Sequence, residues 1–193
     1  MNNYQNIYLL THCESCYNKL GIFTGKIDSK LSEDGHKHAE RLAIELKNKK
    51  IDIAFVSPLT RTKETLKHIL KFHPKTKVIV DKRLIERDYG SLSRKNKEKY
   101  KKDHPDLYHV YHRSYEIVPP GGESMIEVEK RVFDFIKDLL KIVRRDHSNA
   151  LVVCHGNSIR PIRKYFENLS SEQMMKLENF QHMIFKYQVS SQK

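Results

Sequence analysis

Two short apolar runs lie almost the whole chain apart, residues 7–10 (Ile-Tyr-Leu-Leu) and 150–153 (Ala-Leu-Val-Val), and each stops within two residues of a histidine. Apolar runs this brief, bounded by polar residues, suit buried strands rather than helices. Between them the pattern alternates. Residues 32–49 repeat Ala39, Leu42, Ala43 and Leu46 at helical spacing behind Ser32, a residue type that caps helices. Residues 51–56 read as a second strand, 59–72 as a helix with Leu59, Leu66, Ile69 and Leu70 inward, and 78–80 as a third strand. Residues 126–143 give the clearest helix, with Val128, Val132, Phe135, Ile136, Leu139 and Leu140 on one side. A further helix is expected over 161–169 and a last strand over 183–187, while 83–124 reads as one long irregular segment. Alternating strands and helices predict an α/β fold, a three-layer α/β/α sandwich with a mostly parallel central sheet covered on both faces. Ligands bind beyond the carboxyl ends of such strands, which is where His12 and His155 fall.

The chain has 193 residues, enough for one domain with a substantial core, and we expect a single domain over 1–193. Lys and Arg number 36 against 24 Asp and Glu, a net charge of +12 that suits an anionic ligand without choosing one. No stretch approaches the roughly 18 apolar residues of a membrane span, and the polar residues 1–6 do not resemble a signal peptide. Three cysteines are too few and too odd in number for a disulfide framework. A cytoplasmic protein with no membrane partner is therefore expected. The basic run 94–102 is compatible with a nucleic-acid patch or with a solvated surface; no nucleic-acid partner is expected.

Paired histidines at strand ends suit phosphoryl chemistry. One neutral imidazole attacks phosphorus, and the other, if protonated, donates to oxygens that gain charge. Arginines complete such a cradle because their planar fork matches phosphate oxygens. A carboxylate is then needed to protonate the leaving oxygen. His12, His155, Arg61 and Glu86 each follow an expected strand or open the next element.

The residues around them carry a family resemblance. Residues 10–15 (Leu-Thr-His-Cys-Glu-Ser) are similar to the Arg-His-Gly-Glu-Ser signature of the histidine phosphatase superfamily. Asn18 with 23–28 (Phe-Thr-Gly-Lys-Ile-Asp), 57–62 (Ser-Pro-Leu-Thr-Arg-Thr), 86–90 (Glu-Arg-Asp-Tyr-Gly) with Lys97, 112–115 (His-Arg-Ser-Tyr) with Pro119-Pro120, and 155–160 (His-Gly-Asn-Ser-Ile-Arg) resemble successive motifs of its cofactor-dependent phosphoglycerate mutase branch. The resemblance implies that His12 is the nucleophile, that His155 and Arg61 hold the phosphoryl group beside Gly156 and Asn157, and that Glu86 shuttles the proton. It assigns Asn18, Thr24, Gly25, Tyr89, Lys97 and Arg113 to the distal part of a small phosphorylated metabolite, under a covering segment over about 88–124. It implies no metal, 2,3-bisphosphoglycerate as the priming donor if the protein is a mutase, and a homodimer.

Three positions depart from the family. Thr11 stands where the motif has arginine, Cys13 where it has glycine, and His112 where it has the first of two arginines. The covering segment is also short, as in the phosphatases of the superfamily. Lys19, Lys26 and Lys97 are the candidates to replace the missing cation. With a neutral Thr11 and a short lid, hydrolysis is expected to be at least as prominent as phosphoryl return. Against this stand a genuine mutase, and a binding protein that has lost catalysis. The Cys13-x-x-Cys16 pair, with Cys154, invites a zinc or redox reading, yet both pieces already fit the phosphohistidine pattern; Cys13 and Cys154 are expected to be small, oxidation-sensitive wall residues. One prediction follows from Thr11. A charge-assisted hydrogen bond contributes about 1.5–3 kcal/mol, so Thr11→Arg should raise kcat/KM on phosphomonoesters about tenfold or more. A variant slower at every substrate concentration would show that Thr11 is not merely a missing cation.

Overall fold

The computed structural model describes residues 4–178 and 181–190. In chain order the elements are β1 (Tyr4–Thr11), α1 (Cys16–Lys19), α2 (Glu33–Leu46), β2 (Ile53–Val56), α3 (Thr60–Leu70), β3 (Lys77–Val80), α4 (Lys97–Asp103), α5 (Pro105–Arg113), α6 (Met125–Arg145), β4 (Ala150–Cys154), α7 (Gly156–Glu167), α8 (Ser171–Lys176) and β5 (Phe185–Ser190). The five strands form one sheet in the order β3-β2-β4-β1-β5. All pairings are parallel except that of β5, which runs antiparallel along β1 at the edge.

Side chains on a strand alternate between faces, and the core divides accordingly. Ile7, Leu9, Ile53, Phe55, Ala150 and Val152 pack with α6 and α7 through Val128, Val132, Phe135, Leu139 and Ile159. Tyr8, Leu10, Ala54, Val56, Leu151 and Val153 pack with α2 and α3 through Ala43, Leu46, Leu66 and Ile69. This is the expected three-layer sandwich. Among the described residues no helix is long and apolar enough to cross a membrane.

The segment expected to be irregular contains two helices, α4 and α5, and short 3₁₀ turns at Lys82–Leu84 and Gly90–Leu92. α4 carries a single buried side chain, Tyr100, too little to show a period, whereas α5 is as amphipathic as α2 but only nine residues long. They are held by a separate cluster of Phe23, Tyr89, Leu92 and Tyr100, with Tyr108 and Tyr111 against it. The helix after the second histidine starts at Gly156, five residues before the expected 161, and carries Pro161 inside it. The last strand begins at Phe185 rather than 183.

Three strand ends finish level. Thr11 lies opposite Cys154 in the β1–β4 register, and Val56 opposite Val153 in the β2–β4 register. The ladder continues one step further, with His12 N donating to Cys154 O at 3.0 Å and Ser57 N to Val153 O at 3.2 Å. His12, Ser57 and His155 therefore emerge side by side. Residues 119–122 lie against Gly90, whose φ of +50° and lack of a side chain are both required, since a Cβ would sit 2.2 Å from Pro120 O.

Phe135 fills the space between α6 and the sheet, edge-on to Phe55 with ring centroids 5.5 Å apart. Truncating a buried phenylalanine removes transfer energy and leaves a cavity, at about 3–5 kcal/mol. Phe135→Ala should lower unfolding free energy by that amount in urea titrations, and a loss below about 1 kcal/mol would contradict this packing.

Candidate active site

His12 stands at the end of β1 with its ring buried. Its Nδ1 is 2.6 Å from Cys13 O, which can only accept, so Nδ1 carries the proton. Nε2 is left as the lone-pair nitrogen and accepts from Arg61 Nε at 3.2 Å. Burial first, then the Arg61 charge, lower the pKa of His12 to about 3. The imidazole is thus held neutral, as a nucleophile needs to be.

Arg61 lies in the first turn of α3 and is itself buried. Its Nη1 donates to Ile27 O at 2.9 Å and its Nη2 to Gly25 O at 2.8 Å. The loop supplying these carbonyls is tied to the start of α3 by Asp28, which accepts from Thr60 N at 2.8 Å. Gly25 has φ +52°, and a Cβ there would press within 3.0 Å of Arg87 O, so glycine allows the loop to close around the guanidinium.

His155, the residue before α7, is fully buried, and its Nε2 lies 2.7 Å from Ser57 Oγ. The rings of His12 and His155 meet edge-on, with centroids 5.1 Å apart. Burial, then Arg61 and His12, push the His155 pKa well below its usual value. The condition set in the sequence reading, that the second histidine donates if protonated, is disfavoured by this burial. Two imidazoles and a guanidinium in one dry pocket cannot all be charged.

Glu86 follows the 3₁₀ turn Lys82–Leu84, and its Oε1 accepts from Arg87 N at 2.8 Å and from Asn157 N at 3.1 Å. The carboxylate thereby sits on the positive end of α7. Asn157 Nδ2 also donates to the Tyr89 hydroxyl at 3.2 Å, and Ser158 Oγ donates to Ile85 O at 2.6 Å, which binds the two segments together.

A cavity of about 340 Å³ opens at this point. Its wall includes Thr11, His12, Asn18, Thr24, Gly25, Arg61, Glu86, Tyr89, Lys97, Gly156 and Asn157. Of the expected site residues, His155 lies buried against His12 and is not on that wall, and the side chain of Arg113 lies outside the described residues. Thr11 Oγ1 is buried, with no hydrogen-bond partner. Asn18 Oδ1 is committed to Ser15 N and Oγ in a capping box, leaving its NH₂ group for a ligand.

Of the candidates to replace the missing arginine, Lys19 pairs with Asp34 at 3.0 Å and Lys26 with Asp88 at 3.4 Å. Only Lys97 reaches the wall, its Nζ 5.7 Å from the centre of the Phe23 ring. The basic run 94–102 leads into and forms most of α4, and its lysines pack on aromatic faces, with Lys95, ahead of the helix, over Tyr100 and Lys101 over Tyr108. Burial holds the Cys13 thiol up at about 11 and raises that of Cys154 as well, so both are protonated and poorly reactive, contrary to the expected oxidation sensitivity.

Sequence reasoning missed Arg160, Met175, Glu178 and Gln181 on the wall, and His112, noted only as a departure from the motif, also lines it. Arg160 follows Asn157 by one helical turn, a spacing that could have flagged it. Glu178 and Gln181 arrive from the chain's return toward β5, and no local signal marks them. Arg160 Nη1 donates to Met174 O and Met175 O at 3.0 and 2.9 Å, which fixes α8 against the site.

Neutral buried histidines tie folding to pH. Unfolded His12 titrates near 6.5 and folded His12 near 3. The unfolded chain therefore binds more protons in acid, and stability falls as pH drops from about 6.5 toward 3. At pH 5 the loss from His12 is about 2 kcal/mol, with His155 adding in the same direction. Urea titrations at pH 7.5 and 5 should show it, and His12→Asn should be less acid-sensitive by His12's share. An unchanged pH dependence in that variant would contradict a neutral buried His12.

Comparison with known proteins agrees with this geometry. Residues 7–193 match the Histidine phosphatase superfamily (branch 1). A protein of Chelativorans sp. (strain BNC1) named 2,3-bisphosphoglycerate-dependent phosphoglycerate mutase is 39% identical over 178 residues, 89% of this chain and 86% of the relative. A protein of the same name from Brucella melitensis biotype 2 (strain ATCC 23457) is 36% identical over 90% of this chain and 87% of its own. In fold, the chain resembles a mycobacterial glucosyl-3-phosphoglycerate phosphatase, with TM-score 0.84 and 21% identity over 96% of this chain and 90% of that one. It also resembles the alpha-ribazole phosphatase of Shigella flexneri, with TM-score 0.82 and 21% identity over 94% and 89%. The chain belongs to branch 1 of the histidine phosphatase superfamily, among its phosphoglycerate mutase-like phosphotransferases and phosphatases.

Proposed function

We propose that the protein transfers phosphoryl groups from small phosphomonoesters of phosphoglycerate size through a phosphohistidine at His12, with water as a major acceptor. The observation that carries this reading is the lone pair of His12 Nε2, held against Arg61 on the wall of a cavity that also presents Glu86. In the first step Nε2 bonds to phosphorus and the ester P–O bond breaks, while Glu86 gives its proton to the leaving oxygen. Arg61 and the Gly156–Asn157 turn stabilise the charge that develops on the phosphoryl oxygens. His155, neutral and bonded to Ser57 Oγ, buttresses His12. In the second step Glu86 takes a proton from water, oxygen bonds to phosphorus and the N–P bond breaks. Asn18, Thr24, Gly25, Tyr89, Lys97 and Arg113 hold the remainder of the substrate.

Thr11 supports the hydrolytic emphasis. An uncharged hydroxyl replaces a cation beside the transferring group, so the phosphoenzyme holds a departing product anion less firmly. The relatives named as mutases are close to this chain in length, so the short covering segment does not favour hydrolysis by itself. Their identity supports a second reading, a mutase primed by 2,3-bisphosphoglycerate.

The two readings separate in one experiment. Phosphate release and 3- to 2-phosphoglycerate conversion are measured on one preparation, with and without 2,3-bisphosphoglycerate. Phosphate release should equal or exceed isomerisation, and strong cofactor-dependent isomerisation with negligible phosphate release would establish the mutase instead. His12→Ala should remove both activities by more than about a thousandfold, together with any acid-labile phosphoryl label on the chain. Glu86→Gln should slow turnover by about 10²–10⁴. A wild-type chain that takes no label from any phosphomonoester would sink both catalytic readings.

A further inference from the structure

Glu86 and Tyr89 are both on the cavity wall, and between them in the chain stands a side chain that is on no part of it. Arg87 is 0% exposed and ranks among the largest fully buried side chains. Its Nε donates to Glu123 O at 2.7 Å and its Nη2 to Ile117 O at 3.2 Å, two carbonyls in the far half of the covering segment. Its guanidinium carbon lies 5.5 Å from the centre of the Tyr89 ring. Nη1 has no hydrogen-bond partner among the described residues. The chemistry proposed above gives this arginine no role.

A buried guanidinium is a poor way to fill such a space. Two carbonyls do not repay the removal of a charge from water, and an apolar side chain of similar length would pack there without that cost. No carboxylate is hydrogen-bonded to the group. Burial pulls its pKa down, with Tyr89, Glu86, Glu123 and Glu127 acting against burial, and the guanidinium stays protonated. What the arginine supplies is direction. Two N–H groups of one rigid fork, set on two separate carbonyls, fix the orientation of the side chain in a way that apolar packing does not.

The carbonyls it grips are themselves anchored. Glu123 N donates to Asp88 O at 3.0 Å and Ser91 N to Pro120 O at 2.9 Å. The Glu123 carboxylate is held by Arg131 of α6, Nε to Oε1 at 2.8 Å and Nη2 to Oε2 at 3.0 Å. Next to Arg131, Val132 lies in the main core. On the other side, the main chain of Arg87 holds the carboxyl that moves the proton. Its N–H is one of two that donate to Glu86 Oε1, the other being that of Asn157. Both bonds fall on Oε1, which leaves Oε2 to carry the proton. Turning residue 87 turns the N–H that holds Oε1, and Oε2 swings with it. A misplacement of about 1 Å costs on the order of 10²-fold in rate.

We infer that Arg87 is a positioning residue for proton transfer: gripped at its guanidinium by the covering segment, it fixes through its own N–H the direction of the Glu86 carboxyl. This rests on the role of Glu86 proposed above. It gives residues 117–123 a task besides covering the cavity, since Arg87 ties them to the group that protonates the leaving oxygen. The defect it predicts is a particular one. A misdirected acid matters where the leaving oxygen needs a proton, as in an alkyl phosphate. It matters little where that oxygen departs as a stable anion, as in p-nitrophenyl phosphate. A variant that merely loosens the fold loses both substrates alike.

The test measures kcat/KM, which reports formation of the phosphoenzyme, on 3-phosphoglycerate and on p-nitrophenyl phosphate. The full chain is compared with Arg87→Met, Arg87→Lys and Glu86→Gln. Arg87→Met keeps the bulk and removes the fork. It should lose about 10–100-fold on 3-phosphoglycerate and less than about threefold on p-nitrophenyl phosphate. Glu86→Gln should show the same skew at larger size. Arg87→Lys keeps the charge without the fork and should show the skew at smaller size, so it carries the test if Arg87→Met does not fold. A skew in Glu86→Gln that no folded Arg87 variant shares overturns this inference alone. A wild-type chain inert on both esters, or a Glu86→Gln variant that loses both alike, overturns the reading of Glu86 and this inference with it.

Discussion

The contact of Arg61 Nε with His12 Nε2 sets the terms for everything around it. A guanidinium and an imidazole buried together cannot both carry charge, and the guanidinium never yields its proton at ordinary pH. The imidazole must then be neutral, with its proton on Nδ1, and Cys13 O is placed to receive that proton. The guanidinium in turn needs acceptor oxygens, and no carboxylate is hydrogen-bonded to it. Backbone carbonyls of Gly25 and Ile27 fill this need, being polar without being charged. The loop carrying them must therefore curl back on itself, which accounts for the left-handed Gly25 and the Asp28 clamp on α3. The same logic places a neutral hydroxyl, Ser57 Oγ, rather than a carboxylate beside His155.

Much of this is legible in the amino-acid sequence. The strands β1, β2 and β4 are covered on both faces, so they appear as unbroken apolar runs, and α6 shows its single buried side as a clear period. Helix α4 is not legible, because its stability comes from Phe23 and Tyr89, distant in sequence, and from lysine stems laid on aromatic rings. The start of α7 is hidden for a different reason. Gly156, Asn157 and Ser158 are poor helix formers, and they are helical because Glu86 and Ile85 accept their N–H and O–H groups. The site is legible where motif residues sit at strand ends. It is opaque at Glu178 and Gln181, whose position depends on how the chain returns to pair β5 with β1.

Charge divides in a way that the total of +12 conceals. Relative to its family's pattern the cavity has lost cations at Thr11 and at His112, while the surface around it is rich in lysine. Those lysines are not idle. Several are spread over aromatic faces, and others are matched to neighbouring carboxylates, as Lys19 is to Asp34. A basic total thus coexists with a cavity that holds few fixed cations, of which Arg61 is the one buried against His12.

The level ending of β1, β2 and β4 has a consequence for how such a site changes over time. The positions of His12, Ser57 and His155 are set by amide-to-carbonyl contacts along the sheet, which are indifferent to the side chains beside them. An exchange at Thr11 or Cys13 therefore alters what surrounds the reacting nitrogen while leaving that nitrogen where it was. The frame holding the reactive groups and the lining that selects what they meet are inherited separately, so one can drift while the other stays put.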